Sequence, residues 1–206
     1  MMALGLNGDL LMKENMMRAP SSSVILNYEI SYLSMETAGL AFFDVGRNLE
    51  KTIFLKSQSP PISYFLYLYR TVGRKYEWTD WLIAEKIELE KFLFNKAVTL
   101  YSLIYEGVPR GFYVLDFRKP FVCDLAYFGL FDEIIGKGYG KLMMNRAFET
   151  ILEYGDIKNI TVNTNTLDHV NALAFYKKAG FEVIRVEEHH RKAFGDAELK
   201  GDFINV

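Results

Sequence analysis

The 206-residue chain holds a single cysteine, Cys123, five prolines and three histidines. One cysteine excludes an internal disulfide framework and any multi-cysteine metal site. It also fits a reducing compartment, so a cytoplasmic protein is expected. The histidines are His169 and the adjacent pair His189-His190. Neighbours on a helix or strand point in different directions, so no shared metal is expected. No apolar run reaches the roughly 18 residues of a membrane span, and no membrane partner is expected. Charge of one sign is scarce too: the formal net charge is −2, with acids and bases interspersed. That argues against nucleic acid as a partner and against an acidic tail. Residues 1–23 do not read as a signal peptide, because a basic start is missing, Asp9 interrupts the apolar part, and Lys13 and Glu14 follow. They read as a flexible leader ahead of one domain over 24–206.

What is present is an ordinary globular composition, half of it hydrophobic. A chain this long buries about 70% of its unfolded surface, so one core needs no staples. β-Forming residues at Tyr28–Met35 predict a strand, and Thr52–Leu55 is a short apolar run. Pro60-Pro61 opens a helix in which Ile62, Phe65, Leu66, Tyr69 and Val72 repeat at helical spacing, with Gly73 as its stop. A second helix is predicted from Thr79 or Asp80 to about Phe94. Val98–Tyr105 and Gly111–Phe117 read as a hairpin around Glu106-Gly107, and Val122–Gly129 as a third strand. A helix over Gly138–Tyr154, a strand over Ile160–Thr164, a helix over Val170–Ala179 and a strand over Phe181–Val186 complete the order. Residues 202–206 suggest an added edge strand. The whole reads as an α/β fold: a central mixed, mostly antiparallel sheet with helices on both faces and crossover units late in the chain.

The densest chemical signal is Ile135-Gly136-Lys137-Gly138-Tyr139-Gly140-Lys141, between a strand and a helix. Glycines let the backbone approach a ligand closely, and free amides at a helix start favour a phosphate. Lys137 and Lys141 add charge. A tight strand-to-helix turn is the other reading of such a cluster. Two known phosphate motifs fail here. A dinucleotide fingerprint needs glycine where Lys141 stands, and a P-loop needs glycine at Ile135 and a hydroxyl residue at Leu142.

The loop resembles the acetyl-CoA pyrophosphate loop of GNAT acetyltransferases, Q/R-x-x-G-x-G/A, with Ile135 in the leading position. A second run, His169-Val-Asn-Ala172-Leu-Ala-Phe-Tyr176-Lys-Lys-Ala-Gly180-Phe181, resembles that family's N-x-x-A-x-x-x-Y-x-x-x-G-F, with His169 for the asparagine. Ala126–Leu130, Thr166–His169, Tyr67-Leu-Tyr69 and Trp78-Thr-Asp80 look like one bacterial-type subgroup of it.

The resemblance implies a single GNAT-like domain that moves acetyl from acetyl-CoA to an amine by direct attack on the thioester. The acceptor is expected to be a small molecule or a peptide. A protein-lysine or N-terminal acetyltransferase is an alternative, as is a non-catalytic acyl-CoA sensor, which the Ile135 departure keeps open and Tyr176 and Asp124 argue against. Gly136, Lys137, Gly138, Tyr139, Gly140 and Lys141 are expected to hold the pyrophosphate, and the backbone of Phe128, Gly129 and Leu130 the acyl group. Asp124 matches the strand carboxylate that serves as general base; the same position suits a half-buried aspartate bonded locally. Tyr176 matches the tyrosine that donates a proton to the departing thiolate, though it also suits core packing. His169 suits either the pantetheine arm or a helix start. Tyr76, Trp78 and Asp80 are expected at the acceptor pocket, where an aromatic wall with one carboxylate would suit a small cation. Homodimers are common in this fold.

Overall fold

The computed structural model describes residues 24–46 and 51–194. The leader and the suggested strand at 202–206 lie outside the described residues. Seven strands form one sheet: β1 Ile25–Glu36, β2 Thr52–Ser57, β3 Val98–Tyr105, β4 Val108–Asp116, β5 Val122–Leu130, β6 Asn159–Asn165 and β7 Glu182–Lys192. Their order across the sheet is β2-β3-β4-β5-β6-β1-β7. Five helices cover it: α1 Ile62–Gly73, α2 Asp80–Ile83, α3 Lys86–Leu93, α4 Tyr139–Tyr154 and α5 Ala172–Lys178. Among the strand pairs, β5–β6 is parallel and the others antiparallel. The mixed, mostly antiparallel sheet with helices on both faces is the architecture the pattern of elements predicted.

Strand alternation builds two cores, one on each side of the sheet. Leu100, Phe112 and Val114 pack with α1, α2 and α3 around Phe65, Leu89 and Leu93. Their neighbours Tyr101, Tyr113 and Leu115 face the other way, onto Met143, Ala147 and Phe148 of α4 and Tyr176 of α5.

Three features depart from the sequence reading. The run Thr52–Leu55 is part of β2, the sheet's outer strand beside β3. Its Ile53 and Leu55 are exposed, which weakens the apolar alternation that marks a strand. The single helix expected up to Phe94 breaks at Ala84-Glu85, both extended. The break lets Trp81 stack on Phe92 at 5.2 Å. On an unbroken helix, eleven residues at ~1.5 Å rise would hold them about 16 Å apart. Finally, β1 crosses the molecule to lie between β6 and β7, antiparallel to both.

Those placements set up the parting of β5 and β6. The two pair only over Val122–Asp124 and Asn159–Thr161. Beyond that, β5 stays bonded to β4, but its other edge has no strand partner. A bulge at Ala126 sits at the parting: Val114 opposes Tyr127 and Leu115 opposes Leu125, leaving Ala126 extra.

Gly129, three residues after the bulge, lets α1 approach the strand. A Cβ there would come within 2.2 Å of Val72 Cγ1. Gly129→Ala should therefore lower stability by about 1–3 kcal/mol through overpacking. A melting curve checks this, and adding Val72→Ala should recover most of the loss.

Candidate active site

A cavity of about 530 Å³ runs through the gap between β5 and β6. One wall is β5 from Leu125 to Leu130, and opposite it stand Asn163, Thr164 and Asn165 of β6. The glycine loop closes one end. Gly136 and Gly138 have φ of +79° and +91°, a region that favours glycine, and nothing lies within 4 Å of a Cβ built on Gly136. Gly138 is the residue before α4, and no side chain caps that helix. Lys141 is the first residue whose amide turns back, to the Gly138 carbonyl at 3.1 Å. The amides ahead of it are among those a helix cannot satisfy itself, and the 16-residue α4 adds its dipole.

The structure brings most of the sequence-chosen residues to this cavity. Phe128, Gly129, Leu130, Gly136, Gly138, Gly140, Lys141, His169 and Tyr176 line it. Lys137 and the Tyr139 side chain do not: Lys137 is exposed, while the Tyr139 ring packs edge-on against Tyr105 at 5.4 Å. Tyr139 contributes backbone only. The Tyr176 ring is buried among Phe128, Phe175 and Phe181, and burial pushes its hydroxyl well above the ordinary tyrosine range, with the Asp168 charge adding to the effect. His169 holds the helix start: its Nδ1 accepts the Asn171 N–H at 3.2 Å.

Tyr76, Trp78 and Asp80 line the same cavity. The Tyr76 hydroxyl is buried, and among the described residues it has no hydrogen-bond partner. Trp78 packs against Tyr69 and Tyr127 at 5.6 and 5.7 Å, and its Nε1 donates to Asp168 Oδ1 at 2.9 Å. Asp168 also accepts from Thr164 Oγ1 at 2.7 Å and the Asn165 N–H at 3.0 Å. It thus ties the α1–α2 connection to the end of β6, beside Tyr176. Sequence reasoning quoted Asp168 within Thr166–His169 and gave it no role.

Asp124 stands elsewhere. It lines a smaller chamber of about 370 Å³ with Trp81, Phe92, Asp116 and Arg118. The Asp124 carboxylate accepts the Thr161 hydroxyl at 2.5 Å. Burial raises its pKa above the usual carboxylate range, assisted by Asp116 and opposed by Thr161, Lys119 and Arg118. The two spaces share Ala126, Tyr127 and Asn163 and so meet at the β5 bulge. Trp81, Phe92 and Arg118 were not among the expected site residues. Their separation in sequence hides a juxtaposition that needs the broken helix.

An opened parallel strand pair with a glycine loop at its mouth defines a class of protein. Residues 65–181 match the acetyltransferase (GNAT) family, and the chain belongs to it. A comparison with curated proteins finds no match. Solved structures with the same fold include a GCN5-related N-acetyltransferase from Kribbella flavida (TM-score 0.56, 15% identity, 83% of this chain and 60% of that one). An IAA acetyltransferase from Bacillus cereus aligns at TM-score 0.51 and 21% identity, over 65% of this chain and 79% of that one. An aminoglycoside acetyltransferase from an uncultured soil metagenomic sample, in complex with trehalose, aligns at 0.52 and 16%, over 63% and 88%. This chain thus spans about three-fifths of the Kribbella protein's length. Among the described residues, no helix is long and apolar enough to cross a membrane.

Proposed function

We propose that the protein is an N-acetyltransferase that moves acetyl from acetyl-CoA directly onto the primary amine of a small molecule. The observation that carries this reading is the meeting of the two spaces at the β5 bulge. One holds the glycine loop and Tyr176, the other a half-buried carboxylate. A donor and an acceptor entering from the two sides would meet beside Ala126 and Tyr127.

The residues suit acetyl-CoA as the donor. The pyrophosphate belongs on the Gly138–Gly140 amides with Lys141 nearby, and Gly136 leaves open space beside it. The pantetheine arm has two amides, which suit the unpaired edge of β5 as a strand would. N–H groups on that edge are aimed where negative charge develops on the acyl oxygen. An amine attacks only when deprotonated, and its ordinary pKa of about 10 requires a base. Asp124 takes that proton directly or through a water. The Tyr176 hydroxyl remains protonated and donates a hydrogen bond to the departing sulfur. The thiolate of a thiol of pKa about 8.5 is a weaker base than this buried phenolate, so the proton stays on Tyr176 and its hydrogen bond stabilises the thiolate. The modest size of the acceptor chamber favours a small molecule over a protein substrate.

Gly140→Val is the cleanest test of the donor site. A Cβ at Gly140 makes only ordinary contacts, 3.7 Å to Phe175 and 3.8 Å to Leu130. The fold should survive while the added methyl groups enter the cavity. Acetyl-CoA should bind at least roughly tenfold more weakly, about 1.4 kcal/mol, seen as a smaller rise in Tm on adding it. An undiminished rise would place the pyrophosphate elsewhere. Gly138→Val is a poorer probe, because φ +91° strains any side chain there. CoA thiol release with a panel of amines tests the activity itself.

A further inference from the structure

The smaller chamber is not built for a bare cation. We infer that its substrate is an amino carboxylate, a small molecule with a primary amine one or two carbons from a carboxylate, and that Arg118 is the residue that reads the carboxylate. This rests on the acetyl-transfer reading and names its acceptor.

Arg118 is held ready. Its Nε donates to both oxygens of Asp116 at 2.9 Å, and its Nη2 to Oδ2 at 2.6 Å. The guanidinium also lies 5.2 Å from the centroid of the Phe92 ring. These contacts fix its plane, while Nη1 has no partner among the described residues and the residue is exposed at the chamber. A guanidinium already immobilised loses little further freedom when it binds a carboxylate.

The charges are arranged as a dipole. Arg118 and Asp116 compensate each other. Among the described residues, the Asp124 carboxylate has only the neutral Thr161 hydroxyl as hydrogen-bond partner. Asp124 and Arg118 lie near enough to influence each other through space. Two further charged residues line the chamber, Glu88 and Lys91, both exposed on α3. They are three apart on the helix and so can offset each other. A plain amine would satisfy Asp124 and leave its hydrocarbon against Arg118. A zwitterion satisfies both ends: its ammonium meets Asp124, next to the bulge where acetyl arrives, and its carboxylate meets Arg118. Trp81, Phe92 and Tyr127 then provide flat apolar walls for a side chain.

The test is CoA thiol release with the common amino acids and β-alanine, each paired with its decarboxylated amine, and with spermidine as a purely cationic acceptor. At least one amino acid should exceed its amine by roughly 10–100-fold in kcat/KM, the range of a charge-assisted hydrogen bond. Arg118→Gln should shrink that preference to within about threefold, mainly through a raised KM for the amino acid. Arg118→Gln with Asp116→Asn removes the pair together and serves if the single variant folds poorly. Equal or better turnover of the decarboxylated amines or spermidine overturns the inference, as does an equal loss for both acceptors in Arg118→Gln. Turnover of amines with no carboxylate preference sinks this assignment alone. Acetyl-CoA binding without thiol release from any acceptor sinks the acetyl-transfer reading and the inference with it.

Discussion

Asp124→Asn should lower kcat/KM by roughly 10²–10⁴-fold, the range of general acid–base effects. The substitution is nearly isosteric, and the Thr161 hydroxyl can still donate to the side-chain oxygen. Acetyl-CoA affinity should be nearly unchanged, because Asp124 lines the smaller chamber and not the cavity beside the glycine loop. The raised pKa gives the prediction its pH signature. A base works only when ionised, so wild-type activity should fall on acidification at a pH above the usual carboxylate range, and the variant should lack that limb. Stability runs the opposite way. The folded pKa lies above the unfolded value of about 3.9. The favourable contribution is therefore complete below the unfolded pKa and is lost as pH rises through the folded one. At neutral pH the asparagine variant should be at least as stable as wild type, with the difference closing in acid. Full activity with an unaltered pH–rate profile would assign Asp124 to structure.

Tyr176→Phe should cost less, roughly 10–100-fold in kcat, the worth of one hydrogen bond of about 1.5–3 kcal/mol to a charged group. Phenylalanine keeps the ring and its contacts with Phe128, Phe175 and Phe181. Melting temperature and acetyl-CoA binding should therefore hold. Tyr176→Ala should instead lower stability by about 3–5 kcal/mol, as deletion of a buried aromatic does. A residue that only packs gives the other pattern, with phenylalanine harmless to turnover. Wild-type turnover in Tyr176→Phe, with chemistry shown to be rate-limiting, rules out a role for the hydroxyl in expelling the thiolate. Because the hydroxyl stays protonated well past neutrality, this loss should not vary with pH across the working range.

The legible parts of the chain are those whose signals are local. The glycine loop and α4 are read correctly because positive-φ glycines precede a helix with a clear buried stripe. The β3–β4 hairpin follows from its turn at Glu106-Gly107. The helix carrying Tyr176 follows from its spacing to Gly180. Other features depend on partners distant in sequence. Asp168 gains its role from Trp78, ninety residues away. The break at Ala84-Glu85 is favoured by a stacking contact that helix propensity does not contain.

The sequence by itself determined the family, the glycine loop before α4, the helix that carries Tyr176 and the layering of the sheet, because each depends on residue type at short spacing. Only the tertiary structure decided that β1 lies between β6 and β7, that β5 and β6 part after Asp124, and that the carboxylate and the tyrosine line different spaces meeting at Ala126. Strand pairing and register arise from contacts across the whole sheet, and no local pattern encodes them. The smaller chamber is the clearest case. Its Trp81, Phe92, Arg118 and Asp124 come from two helices, a loop and a strand. What unites them is the packing of α2 and α3 on the sheet.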